Sequence, residues 1–171
     1  MKTGNAIVLA GGFLNTMNAK TTHGLLRGTE RFTIQAVIDH AHVGKDAGVV
    51  MDGRPCNIPV YGKVVDALSA LRSKPDYCII GVATVGGILP PDMLGEIRFA
   101  LSQGISIVNG LHDFLGEKPE IVALAAANNA TLIDVRKPKS RADLHFWEGD
   151  IYKVTAPIVA VMGMDCATGK R

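Results

Sequence analysis

The sequence has no two cysteines close enough to act together: Cys56, Cys78 and Cys166 are its only three, odd in number and far apart. That spacing suggests neither a disulfide framework nor a thiolate zinc site, and the expectation is reduced thiols in a cytoplasmic protein. Aromatic residues make up only 5% of the chain, and 18 Lys+Arg against 16 Asp+Glu leave a formal net charge of +2. Base-stacking platforms and a basic excess are both missing, so nucleic acid is not an expected partner. Long apolar runs are missing too. The first apolar stretch, Ala6 to Gly11, covers six residues, too few for a membrane span or a signal-peptide core. What remains is a chain of 171 residues, 47% hydrophobic and 20% charged, which can hide roughly 70% of its unfolded surface in one ordinary core.

Short apolar runs alternate with helical patterns, the sequence form of parallel strands joined by crossover helices. The expected strands are 5–10, 32–38, 77–82, 106–108, 131–135 and 158–162. The expected helices are about 19–27, 60–72, 92–103 and 119–128. Pro91 and Pro119 suit a first helical turn and Gly104 a C-terminal stop. These units predict an α/β, Rossmann-like, open doubly wound parallel sheet over 1–138 with its first strand central. A connector at 139–157 follows, and then the first strand and loop of a truncated P-loop domain at 158–171. In such sheets ligands bind outside the carboxyl ends of the strands. Polar clusters follow successive strands there: 11–23, 39–46, 83–87, 109–113 and 136–137.

Several of these clusters carry chemistry. Gly163-Met164-Asp165-Cys166-Ala167-Thr168-Gly169-Lys170, directly after an expected strand, aims backbone N–H groups and an ammonium at phosphate oxygens. Its five residues between the glycines, with Asp165 in third position, resemble the phosphate loop of dethiobiotin synthetase and its relatives. With the chain ending at Arg171, the expectation is the N-terminal half of a longer protein, inactive as a fragment. Lys20 and Thr21 open a helix where an anion is favoured, although Thr21 or Thr22 could equally be a cap. Lys45 comes to the same edge. His112 beside Asp113 is a candidate for proton transfer or substrate binding, with a turn histidine as the alternative. Asp39 ends the second strand, where an acid binds ribose or simply caps a turn. The first loop lacks a G-x-G-x-x-G pattern, so NAD is weakly supported. No carboxylate or cysteine completes a metal spacing with His40, His42 and His112, so no metal is expected.

The strings AKTTHGLLRG, DHAHVGKDAG, IIGVATVGG, NGLHDFLGEKPE, DVRKP and GMDCATGKR occur together in this order. They resemble a bacterial and archaeal two-domain family long classed as domain of unknown function 1611, which pairs a Rossmann-like domain with a P-loop domain. One branch of similar proteins acts as N-acetyltransferases on D-glutamate and related D-amino acids with acetyl-coenzyme A. The resemblance implies that Lys20, Lys45, Gly86, Gly87, His112 and Arg136 line a cleft, and that Gly163, Gly169 and Lys170 hold phosphates. The expected ligands are a small anionic substrate with acetyl-coenzyme A, which the resemblance implies, or ATP with magnesium, which the phosphate loop suggests; a cytoplasmic homo-oligomer without a membrane partner is expected. The alternatives are an ATP-dependent ligase or kinase-like enzyme of the dethiobiotin synthetase type, or an NAD(P)-binding oxidoreductase.

Overall fold

The computed structural model describes residues 4–157 and 159. Six strands form one sheet: β1 (Gly4–Leu9), β2 (Phe32–Ile38), β3 (Val60–Tyr61), β4 (Tyr77–Ile80), β5 (Ser106–Asn109) and β6 (Leu132–Asp134). Their order is β3-β2-β1-β4-β5-β6, and every pair is parallel. The first strand is central, and the winding direction reverses between β1 and β4. This is the Rossmann-like doubly wound sheet expected from the sequence.

The strands are continuous apolar runs because both of their faces are covered. Ile7, Leu9, Ile38, Cys78, Ile80 and Ile107 pack against α3 (Val64–Ala70), α4 (Pro91–Ser102) and α5 (Pro119–Ala127). Val8, Ala10 and Val37 pack on the opposite face, against Leu25 and Leu26 of α1 (Lys20–Arg27) and Val50 of α2 (Ala47–Asp52). Pro91 and Pro119 stand in the first turns of α4 and α5, where their missing N–H costs no helical bond. Gly104, at φ +68°, takes the left-handed position just past α4.

Two elements depart from the sequence expectation. The helix expected from Val60 starts only at Val64, and Val60–Tyr61 form the edge strand β3. Two residues paired with Val37 and Ile38 have no period of their own to read. The short α2 is not among the expected helices, although Asp46 caps it and Gly53 ends it in the left-handed region.

The chain divides into two compact units, Met1–Lys137 and Pro138–Arg171. The first carries the whole sheet. In the second, Arg141–Asp143 and Asp150–Lys153 form single 3-10 turns, and the Trp147 and Tyr152 rings meet edge to face with centroids 5.8 Å apart. No helix among the described residues is long and apolar enough to cross a membrane.

Candidate functional site

Three polar side chains are almost fully buried among the described residues, Thr22, Asp39 and Asn109, and all three shape the loops at the carboxyl edge of the sheet. Asp39 ends β2. Its Oδ2 accepts the N–H groups of Gly12 and Leu14, each at 2.9 Å, and its Oδ1 accepts Ala41 N and meets His42 Nδ1 at 2.8 Å. Both oxygens are thus spent on the fold. Of the two roles open in the sequence, cap and ribose ligand, the carboxylate serves as the cap.

Thr22 ties α1 to the end of β4. Its N–H and its hydroxyl both donate to Gly81 O, at 3.0 and 2.9 Å. A side chain at Gly81 would run into this hydroxyl and into Val8. Ala83 N donates to Asn18 O at 2.7 Å nearby. These bonds fasten α1 and the turn before it to the end of β4. The N–H groups of Ala10 and Gly11 are likewise bonded to Ile38 O. The first glycine loop is therefore held by its own protein.

Asn109, at the end of β5, donates to Asp113 O and to Asp134 Oδ1 of β6 and accepts Leu111 N. It bends the next residues so that His112 faces the loop after β4. There Gly86 and Gly87 take φ values of +71° and +67°, accessible to glycine but strained for other residues. Gly87 O accepts both His112 N and Asp113 N. A Cβ on Gly87 would lie 2.6 Å from His112 Cδ2, so the backbone approaches this imidazole as only glycine allows.

On its other side His112 meets Arg136, with Nη1 to Nε2 at 3.2 Å. A guanidinium can only donate. Nε2 is therefore the acceptor in this contact, and the neutral imidazole carries its proton on Nδ1. The partner proposed from the sequence, Asp113, is engaged elsewhere, pairing with Lys118 at 2.8 Å. The structure thus brings Gly87, His112 and Arg136 together and corrects which residue orients the histidine.

The other candidates lie apart from this cluster. Lys20 and Thr21 are exposed on the first turn of α1, at the same edge. Lys45 is exposed beside β3, where its carbonyl accepts Val60 N. Four strand spacings separate β3 from β5, about 19 Å. Gly163, Asp165, Gly169 and Lys170 lie outside the described residues, as does the strand expected at 158–162 apart from Val159.

Burial, reinforced by the charge of Glu96, pushes the Cys78 thiol up to about 12. It should resist a thiol reagent at pH 8 until the chain unfolds while half-buried Cys56 reacts first, as timed modification and mass spectrometry would show. Burial also raises the Asp46 carboxyl, but N–H donors from Cys56, Val49, Gly48 and Asn57 outweigh it and hold the group below its usual value. A depressed folded-state value stabilises above the unfolded value and is lost as pH falls through the folded one. Asp46→Ala is expected to cost about 0.5–2 kcal/mol at neutral pH. Urea melts should show that difference shrinking toward acid pH.

Residues 40–138 match a family described as a domain of unknown function (DUF1611_N), Rossmann-like domain. The chain is 36% identical over 92 residues to a D-glutamate N-acetyltransferase from Pseudoalteromonas sp, covering 54% of this chain and 26% of that protein. It is 30% identical over 132 residues to a D-glutamate N-acetyltransferase from Tritonibacter scottomollicae, covering 77% of this chain and 37% of that one. The chain thus spans about a quarter to somewhat over a third of these relatives. A crystal structure of a DUF1611 family protein from Anabaena variabilis superposes with a TM-score of 0.70 at 32% identity, over 81% of this chain and 38% of that one. An amine dehydrogenase from Mycobacterium smegmatis shares the fold at 24% identity and a TM-score of 0.54, over 75% and 38% of the two chains. With more than half its length matched, and with the sheet those relatives share, the chain belongs to the DUF1611_N family of Rossmann-like domains.

Proposed function

We propose that this chain is part of an acetyl-coenzyme A-dependent N-acetyltransferase acting on a D-amino acid such as D-glutamate. The observation that carries this reading is the Arg136–His112 pair, held against Gly87 at the carboxyl edge, in a chain whose relatives are named for that reaction. Acetyl-coenzyme A would supply the acetyl group as a thioester. The work of the chain is to hold the acceptor and move one proton. Arg136, or Lys20 at the start of α1, pairs with a carboxylate of the amino acid. When a carboxylate draws Arg136 away, Nε2 of His112 is left with a free lone pair. That nitrogen then takes one proton from the acceptor's ammonium, the amine so formed can attack the thioester carbon, and the C–S bond breaks as the second proton shed by the nitrogen passes to the departing sulfur, giving the amide and free thiol.

A second reading, an ATP-dependent ligase or kinase-like enzyme, is favoured by one feature, the Gly163-to-Lys170 loop. A nicotinamide reading has less behind it. The acid that would bind ribose is Asp39, and its oxygens are already occupied.

The test is to offer the full-length protein acetyl-coenzyme A with a panel of D- and L-amino acids and follow release of free thiol. Acetylation of D-glutamate in preference to L-glutamate is the expected result. Failure to acetylate any acceptor, together with ATP hydrolysis that depends on a small acid, would replace this reading with the second.

A further inference from the structure

An apolar cavity of about 290 Å³ lies over Leu9, Ile38 and Met93, whose side chains are at most 2% exposed and offer a ligand almost no surface. At the other end of the sheet the polar groups are bonded into one network, and its centre is Asp134. Asn109 and Asp134 are the last partners of the β5–β6 ladder. Oδ1 of Asp134 accepts Asn109 Nδ2 at 2.7 Å and Leu115 N at 3.1 Å, and Oδ2 accepts Gly116 N at 2.8 Å. The loop that carries His112 leaves the sheet at Asn109 and returns at Leu115 and Gly116, so one carboxylate holds both of its ends. The same residue holds Arg136 through its backbone. Asp134 O accepts Lys137 N at 3.1 Å, and Val135 N donates to Asn109 O at 2.9 Å. Arg136 stands inside the turn that these two bonds close.

The Arg136–His112 pair has little to hold itself together. It joins a charged donor to a neutral acceptor through one hydrogen bond between exposed side chains, with no second charge to strengthen it. Among the described residues no ion pair engages Arg136. The ion pairs flanking the loop, Lys118–Asp113 and Lys137–Glu117, are partly or largely exposed and restrain it weakly. The 3.2 Å contact is therefore set by the backbone on either side of it, and Asp134 sets that backbone. Only an ionised carboxylate can do this. Three donors converge on it, and an acid or an amide would turn a donor toward at least one of them.

We infer that Asp134 is a positioning residue: its carboxylate fixes the contact of Arg136 with His112, and with it the tautomer that leaves the lone pair on Nε2. This rests on the pair assigned above as base and partner. The tautomer, however, belongs to the resting protein and is measured without any reaction.

The experiment is a long-range nitrogen–proton correlation spectrum of the histidine rings in the full-length protein, at a pH where imidazole is neutral. The His112 signals are identified by their loss in His112→Gln. Unconstrained neutral histidine prefers its proton on Nε2, whereas His112 should carry it on Nδ1. Asp134→Asn should return the proton chiefly to Nε2, as should Arg136→Met, which removes the donor itself. Lys118→Met, which frees the same loop of an exposed ion pair, should leave the ring signals unchanged. Gly116→Ala brings a Cβ to 2.9 Å from Oδ2 with the carboxylate still in place; it should move the tautomer the same way, and it decides the matter if circular dichroism shows Asp134→Asn unfolded. A proton on Nε2 in the unmutated protein, a proton kept on Nδ1 in both Asp134→Asn and Gly116→Ala, or an equal change in Lys118→Met would overturn the assignment. In a protein that acetylates D-glutamate, Asp134→Asn should also lower kcat about ten- to hundredfold. Full turnover alongside a changed tautomer would take the base role from His112 and leave the positioning by Asp134 intact, as would the tautomer change in a protein that acetylates nothing.

Discussion

His112→Gln in the full-length protein is expected to lower turnover by about a hundredfold to ten-thousandfold with little change in KM, because glutamine keeps the size and polarity of the side chain but cannot take up a proton. The pair with Arg136 makes the expectation specific. Nε2 accepts from the guanidinium at 3.2 Å, so this nitrogen carries the lone pair a base needs. Lys20→Met should fail differently. A charge-assisted contact to a buried anion is worth about 1.5–3 kcal/mol and exists in ground and transition states alike, so its loss raises KM about 10- to 100-fold and leaves kcat nearly unchanged. Steady-state kinetics with acetyl-coenzyme A and the preferred D-amino acid would separate the two patterns. Wild-type turnover in His112→Gln removes the base assignment, and an unchanged KM in Lys20→Met moves the anion-binding role to Arg136.

Asp39→Ala is expected to lower the unfolding free energy by about 3–5 kcal/mol, the range seen when a buried charged partner is removed and its neighbours are left unpaired. Asp39 is fully buried. Its carboxylate gathers the backbone of Gly12, Leu14 and Ala41 together with the His42 ring. Without it, three N–H groups lose their acceptor at once in a loop that also carries two left-handed glycines, Gly11 and Gly12. Asp39→Asn should recover only part of the loss, since its amide nitrogen must face at least one of those donors. Urea unfolding with a common m-value would measure both variants, and amide exchange at Gly12 and Leu14 would locate the damage. A loss under about 1 kcal/mol in Asp39→Ala would mean that water replaces the carboxylate and that this loop is not held as described.

The same residue shows where sequence reading stops. An acid at the end of a second strand is visible in the chain, but cap and ribose ligand look alike until the loop it bonds, 25 to 27 residues earlier, is folded back beside it. Thr22 is similar. Its hydroxyl reads as a local cap, and its actual partner is Gly81 O, 59 residues away. His112 beside Asp113 suggested a pair of sequence neighbours, whereas the contact that forms is with Arg136, 24 residues on and one strand over.

The architecture is legible in the chain alone. Apolar runs with both faces to bury become parallel strands, Pro91 and Pro119 start helices, Gly104 stops one, and the crossover rule then leaves a single direction of winding with β1 in the middle. All of these are local signals or consequences of chain connectivity. The pairing of the two-residue β3, the partners of the buried polar groups and the cavity over Leu9, Ile38 and Met93 emerge only once the chain is folded. Each of these depends on residues far apart in the chain meeting at fixed distances, and a hydrogen bond or a cavity wall leaves no periodic trace in either of the segments that form it.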